Sequence, residues 1–449
     1  MKGKIHRQAF EFLQEWRNSD SRKPLILRGA RQVGKTTLVK HFAETYAVFI
    51  HLNLEKREDR NLFEMTDNVN QLIANIFVRE GVRQDAKNVL LFIDEIQNSK
   101  PAVAMLRYFY EERYDLHVIA AGSLLETVMD VRRISFPVGR VQFMSLKPCS
   151  FVEFLDGMDL VQEKEFVEQV DVPWVIHERV MRHFREYTIV GGMPDAVTQY
   201  AATHDHQAIS TVYESLLQTY KDDVEKYSSS ATIIRTIRSI LNVGWNSAAE
   251  IISFEGFGET AYRSREMSEA FQIISKAMLL ELVYPTSETR LPIAPNYRRR
   301  PKLLWLDTGL VNYAAGVQKD VFLADDIQDI WRGRIAEHVV GQELIANRTE
   351  VSAHRSFWHR DKQGASAEVD FIYPYQGLLV PVEVKSGHNA HLKSLHLFMN
   401  EAPHNIAVRV WSKPFSRDEV KTSHGKTFKL LNVPFYYVGQ LEKILQKEI

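Results

Sequence analysis

"LILRGARQVGKTTLV", residues 25–39, is the stretch whose reading decides the fold. A short apolar run ends at Arg28, and Gly29 to Thr36 then match G-x-x-x-x-G-K-[ST] just as a helical pattern, "KTTLVKHFAETY", begins. A strand that feeds such a loop into a helix aims several backbone N–H groups at one point. The helix N-terminus adds partial positive charge there, and together they make a phosphate site. Gly29 and Gly34 permit close backbone approach, with Ala30, Arg31, Gln32 and Val33 supplying the amides between them. Lys35 is expected to reach the β- and γ-phosphates and the Thr36 hydroxyl to ligate Mg²⁺, with Thr37 next in the helix. The expected ligands are ATP and Mg²⁺.

Outward from the loop, "PLILR" (24–28), "VFIHLNL" (48–54), "VLLFI" (89–93) and "LHVIAA" (116–121) read as strands with helical patterns between them. That alternation predicts a parallel sheet covered on both faces. "NVLLFIDEIQ" puts Asp94 and Glu95 at the C-terminal end of a buried strand, where α/β sheets bind their ligands. Asp94 is expected to hold Mg²⁺ through water and Glu95 to polarise the attacking water. Ser123 in "IAAGSLL" is a candidate γ-phosphate sensor, with a plain polar strand end as the alternative. Arg140 in "FPVGR" is a candidate arginine finger, with an ordinary surface arginine as the alternative.

The chain's 449 residues exceed one ordinary core, so two or three domains are expected. A net charge of -1 supplies no global field toward nucleic acid or membrane, so any such binding must come from a local patch. A single cysteine, Cys149, excludes an internal disulfide framework and fits a reducing compartment; it reads as a small buried residue. No run approaches a membrane span and no signal-type apolar core opens the chain, so the expectation is a cytoplasmic protein that meets no membrane.

After about residue 150 the alternation stops. "SFVEFLDGM", "WVIHERVMRHFREYTIV" and "TVYESLLQTYKDDVEKY" read as helices, interrupted at "GGMP" (191–194). "IIRTIRSILNVG" and "AYRSREMSEAFQIISKAMLL" continue as helices, and the runs "LELVYP" and "RLPIAP" then suggest a two-stranded ribbon, hence a winged helix-turn-helix. Arg263, Arg265 and Tyr262 sit where a recognition helix would carry them, and Arg298, Arg299 and Arg300 follow the ribbon. DNA or RNA contact and a solvated basic run are the two readings. From "PKLLWLDTGL" onward the pattern is α/β again.

"GARQVGKTT", "LLFIDEIQ", "AAGSLL", "FPVGR" and "GGMPDAV" together resemble the prokaryotic AAA-type ATPases that carry a C-terminal domain of unknown function, over nearly the whole chain. The resemblance implies an AAA-type P-loop NTPase core (1–150), a helical lid (151–210) and a C-terminal α/β domain resembling restriction endonucleases (301–449), and the residue pattern itself puts the winged-helix-like region (211–300) between the last two. A homo-oligomer is a candidate assembly.

The last of these regions contains "AEVDFIYPYQGLLVPVEVKSG", residues 367–387. Residues two apart on a strand share a face, so Glu383 and Lys385 point together. An antiparallel pair turning at "YQG" would bring Asp370 beside Glu383. Two carboxylates suit Mg²⁺, and Lys385 can activate water at a phosphate. The set is similar to the D…E-x-K core of restriction-type nucleases, with Glu337 of "WRGRIAEHVVGQEL" as the further acid on a preceding helix. Val369 stands before Asp370 where those nucleases carry proline, and Glu368 reads as its solvent-facing neighbour. Surface salt bridges and an inherited fold without chemistry are the alternatives. Two functions therefore stay open: an ATP-driven switch coupled to a nuclease-like domain, and an ATP-dependent scaffold that binds a partner without cutting.

Overall fold

Alternate residues of the N-terminal apolar runs face opposite sides of one sheet, and both sides are buried. In β1 (Leu25–Arg28), Leu25 and Leu27 pack with Leu90, Phe92, Ile119 and Ala121, while Ile26 packs with Leu91, Ile93, Val118 and Ala120. A computed structural model describes residues 5–122, 136–137, 139–316, 333–362, 365–385 and 392–449. With β2 (Val48–Asn53), β3 (Val89–Asp94), β4 (His117–Ala121) and β5 (Gln142–Ser145), β1 forms a five-stranded sheet ordered β2-β3-β4-β1-β5. All four pairings are parallel. β1 and β3 flank β4, so the glycine-rich loop and the Asp94–Glu95 pair leave the same edge of the sheet. β5, within "VQFMS", was not among the expected strands; it adds to the far side of β1.

The helical stretch follows as read, with Phe151–Gly157, His177–Val190, Pro194–Thr203 and His206–Asp222 as its main helices. Ser150 opens the first with a capping box to Glu153. Helices Ala231–Val243 and Ser264–Lys276 come next. The ribbon departs from expectation. β6 (Leu280–Val283) and β7 (Pro285–Thr286) are strands, but residues 290–295 are not; β6 pairs antiparallel with β8 (Lys302–Trp305), and Ile251 bridges to Lys302. Pro292 and Pro295 explain the failure of "RLPIAP", since each lacks the N–H that a ladder needs.

β7 pairs with β9 (Phe357–Lys362), which pairs with β10 (Ala365–Val369). A second five-stranded sheet holds β11 (Phe371–Tyr375), β12 (Leu378–Val384), β13 (Ile406–Trp411), β14 (Ser416–Lys421) and β15 (Thr427–Pro434) in the order β11-β12-β13-β15-β14. The β11–β12 hairpin forms as expected. Gln376 and Gly377 turn it with φ of 44° and 84°, the two left-handed positions a tight hairpin favours. Phe371 faces Val382, so Asp370 comes opposite Glu383.

The regions are stitched together at "GGMP" and "LDTGL". The buried Asp307 carboxylate accepts from the N–H of Gly192 (2.5 Å) and Leu310 (2.9 Å) and from the Tyr213 hydroxyl (2.9 Å). A Cβ on Gly191 would lie 2.3 Å from Asp307 Oδ1, and one on Gly309 2.3 Å from Val190 O. Only glycine allows that approach. Cys149 is buried as expected, and burial pushes its thiol up to about 12. Among the described residues no helix is long and apolar enough to cross a membrane.

Candidate functional site

The glycine-rich loop closes on itself around Lys35, whose ammonium donates to Gly29 O and Ala30 O at 2.9 Å each. Burial pulls Lys35 down to about 8 against the pull of Glu95 and Asp94. A phosphate is a charged and therefore stronger acceptor than the two carbonyls, so Lys35 is poised to exchange them. Gly34, at φ 95°, starts the helix Lys35–Ala43. At Gly29 a Cβ would meet Leu146 O at 2.6 Å, so the loop lies tight against the strand end beside it.

Thr36 and Asp94 meet as expected: Thr36 Oγ1 donates to Asp94 Oδ2 at 2.9 Å. A hydroxyl and a carboxylate oxygen side by side are the hard donors that Mg²⁺ takes, so these residues fit the ion. Glu95 follows in a left-handed conformation (φ 52°) and accepts from the Gln97 amide. Burial raises its carboxyl, the Gln97 bond opposes this, and Asp94 adds to the rise. One cavity of about 570 Å³ is lined by Arg31, Gln32, Gly34, Lys35, Thr36, Thr37 and Glu95.

Several residues of this pocket were not singled out from sequence. Arg7 donates to Val33 O (3.0 Å) and Lys147 O (2.6 Å) and pairs with buried Glu153 (2.9 Å), so it clamps the loop from behind. His51 Nε2 lies 3.6 Å from Asp94 Oδ2. Pro194, Asp195 and Thr198, at the start of the helix after "GGM", line the same cavity. Arg31 pairs with buried Asp223, and Tyr220 donates to Arg31 O at 3.3 Å, tying the loop to the helical region. Only the "GGMP" motif carried a signal for any of these. Arg140 lies away from the cavity lining and pairs with Glu111 at 3.1 Å. Ser123 lies outside the described residues.

In the C-terminal part, Glu337, Glu368 and Asp370 bring carboxylate oxygens within 4.8 Å of one another. Glu368 is therefore turned into the cluster, correcting its reading as a solvent-facing neighbour; β10 pairs with β9 and presents it toward β8. Lys302, at the start of β8 and buried, explains the gathering. Its ammonium pairs with Glu337 and with Glu368 (2.8 Å) and lies 4.7 Å from the Phe357 ring centroid. Lys302 had been read only as the start of an α/β stretch. Asp370 Oδ2 accepts from Val384 N–H at 2.7 Å, and Glu383 Oε1 pairs with Lys385 at 2.8 Å. The other Glu383 oxygen is buried without a hydrogen-bond partner.

Glu337, Glu368, Asp370 and Glu383 thus face two ammonium groups, Lys302 and Lys385, and carry an excess of negative charge. Burial pushes Glu337, Asp370 and Glu383 upward, while the same contacts push Lys302 up. For the acids desolvation outweighs the lysines; for Lys302 the acids outweigh desolvation. All the donors are hard oxygens, and the excess charge suits a divalent cation.

Residues 21–155 match a family model described as an AAA domain. Residues 181–321 and 332–432 match two models described as domains of unknown function, DUF8612 and DUF4143. No curated protein matches the chain. Among solved structures, the Walker-type ATPase paby2304 of Pyrococcus abyssi is similar at 14% identity, covering 70% of this chain and 96% of that one with a TM-score of 0.46. The Thermotoga maritima RuvB Holliday junction branch migration motor is similar at 13% identity, covering 66% and 93% with a TM-score of 0.28. The Aeropyrum pernix Orc1 protein, solved in complex with DNA, is similar at 12% identity, covering 72% and 94% with a TM-score of 0.30. The AAA-domain match falls on the parallel sheet, the phosphate loop, Asp94 and Glu95. The fold there is that of a P-loop NTPase, and it supports ATP binding.

Proposed function

We propose that the protein is an ATP-hydrolysing switch whose nucleotide state acts on a nuclease-like C-terminal domain. The observation that carries this reading is the convergence of Lys35, Thr36, Asp94 and Glu95 at one sheet edge. In this reading the loop amides of Gly29 to Thr37 hold the phosphates and Lys35 moves from its two carbonyls to the β/γ oxygens. Mg²⁺, taken by Thr36 and Asp94, would neutralise phosphate charge. Glu95, its carboxyl raised by burial, accepts a proton from the attacking water. Arg140 would serve a neighbouring subunit of a homo-oligomer after leaving Glu111, and Ser123 would sense the γ-phosphate. The lone buried Cys149 fits a reducing, cytoplasmic setting.

The Arg31–Asp223 pair offers the route out of the pocket, because a phosphate beside Arg31 competes with Asp223 for the guanidinium. The order Ile251, helix Ser264–Lys276, β6, β8 supports a winged-helix reading of the middle region. Exposed Arg263, Arg265, Arg298 and Arg300 would supply its phosphate contacts to DNA or RNA. At the C-terminal site Glu337, Asp370 and Glu383, joined by Glu368, would hold a divalent ion, and Lys385 would orient water at the scissile phosphate. The second reading, a scaffold that binds a partner without cleavage, is favoured by Lys302, whose ammonium already compensates two of those acids.

The test is ATP turnover and binding by wild type, Lys35→Ala and Glu95→Gln. Lys35→Ala is expected to lose binding, while Glu95→Gln binds ATP but turns it over at least about 100-fold more slowly. Equal loss of binding in both would make Glu95 structural. Plasmid, single-stranded DNA and RNA with Mn²⁺ and ATP separate the two readings. Cleavage that disappears in Asp370→Ala supports the nuclease, and intact substrate with wild-type protein supports the scaffold.

A further inference from the structure

The four acids of the C-terminal cluster do not share one centre. Glu337, Glu368 and Asp370 form a triangle with oxygens within 4.8 Å of one another, and Glu383 is not among those three. Glu383 stands across from Asp370 on the neighbouring strand, and the Asp370 carboxylate accepts from the adjoining Val384 N–H at 2.7 Å. Asp370 is thus common to two groups, with Glu337 and Glu368 on one side and Glu383 on the other.

The first group already holds a cation. The Lys302 ammonium pairs with Glu337 and lies 2.8 Å from Glu368. It also stands over two aromatic rings, 4.7 Å from the centroid of Phe357 and 5.7 Å from that of Phe371. An ammonium suits ring faces and carboxylates together, whereas Mg²⁺ takes oxygen ligands alone. Lys302 is 1% exposed, opens β8 and is bridged to Ile251. The sheet and the rings therefore hold this charge in place.

The second group is short of a partner. Glu383 Oε1 lies 2.8 Å from Lys385, but Oε2 is buried without a hydrogen-bond partner among the described residues. A buried carboxylate oxygen with nothing to bind is costly, so this one marks an opening for a ligand that binds oxygen. The charges agree. Four carboxylates face two ammonium groups, Lys302 and Lys385; one divalent ion balances that difference and two would exceed it. His359, across from Glu368 on β9, is a further titratable neighbour, and any charge on it would only shrink the room for a second ion.

We propose that the cluster is a two-cation site in which the chain supplies one of the cations: Lys302 fills the place of one ion, and a single divalent metal binds between Asp370 and Glu383. This rests on reading the acids as a divalent-ion site, and it narrows the protein ligands to those two, with water completing the shell. Paired metals sit about 3.5–4 Å apart. One carboxylate can bridge that separation, and Asp370 has the bridging position. Lys302 is buried and cannot touch a substrate, so the paired-metal clamp on attacking and leaving oxygens is not available here.

The test counts Mn²⁺ bound to the nucleotide-free full chain, by calorimetry and electron paramagnetic resonance. Asp94→Asn, run alongside, subtracts any ion held at the phosphate loop. Wild type is expected to bind one ion at the cluster with an uncoupled spectrum. Glu383→Gln should weaken it at least about tenfold, the scale of one lost charged contact. Lys302→Met should bind two ions, spin-coupled because they lie about 4 Å apart. Lys302→Gln, whose amide still donates to an acid, should give the same count and replaces the methionine variant if that one does not fold. One ion in wild type and in the Lys302 variants would overturn the proposal and leave the metal reading standing, as would two ions in wild type. So would an ion that Glu383→Gln leaves undisturbed. An ion bound only once Lys302 is replaced would also overturn it, since the lysine would then block the whole site. No ion at the cluster in any of these proteins would sink the metal reading itself, and the proposal with it.

Discussion

Lys302→Met removes one buried charge and leaves several of the opposite sign, and its cost can be worked from the site. The methionine withdraws the ammonium both from Glu337 and Glu368 and from its place over the Phe357 and Phe371 rings. Removing one partner of a buried pair costs about 3–5 kcal/mol. Protonation sets a ceiling on that loss. Glu337, already pushed up by burial, can take a proton, and holding one at pH 7 against an ordinary carboxylate value costs about 3 kcal/mol. Glu337 is already pushed up to about 8 beside Lys302, so the wild type carries part of that cost too, and the expected destabilisation at pH 7 is below about 3 kcal/mol. The sign follows from the raised folded-state values. The stability is fully present below the unfolded value, near 4.5, and is lost as pH rises toward the folded one. Urea unfolding of wild type and variant at pH 7.5 and pH 5 measures it. The gap should narrow sharply at pH 5, and millimolar Mn²⁺ should close part of it at pH 7.5 by supplying the missing positive charge. A variant as stable as wild type at pH 7.5 would refute the reasoning, as would a gap that ignores pH.

Three further outcomes follow from other contacts. Gly309→Ala drives a methyl to 2.3 Å from Val190 O and 2.5 Å from the Tyr213 hydroxyl, so thermal unfolding should show a loss of about 3 kcal/mol; an unchanged melting temperature would mean the helices there can part. Arg7→Lys keeps a charge for Glu153 but cannot also span Val33 O and Lys147 O, so ATP affinity should fall about tenfold in a titration while the fold persists. Glu343, pushed up to about 7 by burial, costs the folded state about 3 kcal/mol above that pH. Glu343→Gln should therefore be the more stable protein at pH 8 and equal to wild type below pH 4.5; equal stability at pH 8 would count against the buried carboxyl.

The nucleotide pocket was largely legible because its chemistry is local. A loop of eight residues carries its own strand, glycines, lysine and hydroxyl, and Asp94–Glu95 announce themselves by ending a buried apolar run. Arg7 and Asp223 were not legible, because nothing near either residue says that it folds back onto residues 31–33. The C-terminal acids were half legible. The hairpin register that sets Asp370 against Glu383 follows from alternation and a two-residue turn. Lys302 did not, because a lysine before "LLW" looks like any strand end until β8 is laid beside the helix Arg334–Ala346. The ribbon was misassigned for a related reason. Proximity in sequence favoured "RLPIAP", and its prolines handed β6 to a strand beyond them.

That exchange of partners bears on how the chain can be divided. A cut at residue 300 leaves Leu280–Val283 on one fragment and Lys302–Trp305 on the other, each an open strand edge awaiting its mate. The same cut separates Asp307 from Gly192 and Tyr213. The halves are therefore not interchangeable cassettes. A foreign C-terminal half grafted at this seam would need a matching edge strand, a glycine facing Val190 and an acid to meet the paired glycines. Conversely, the two native fragments carry complementary edges, so co-expressed pieces should find each other and reassemble, making the seam a natural place to split the molecule into a two-part reporter.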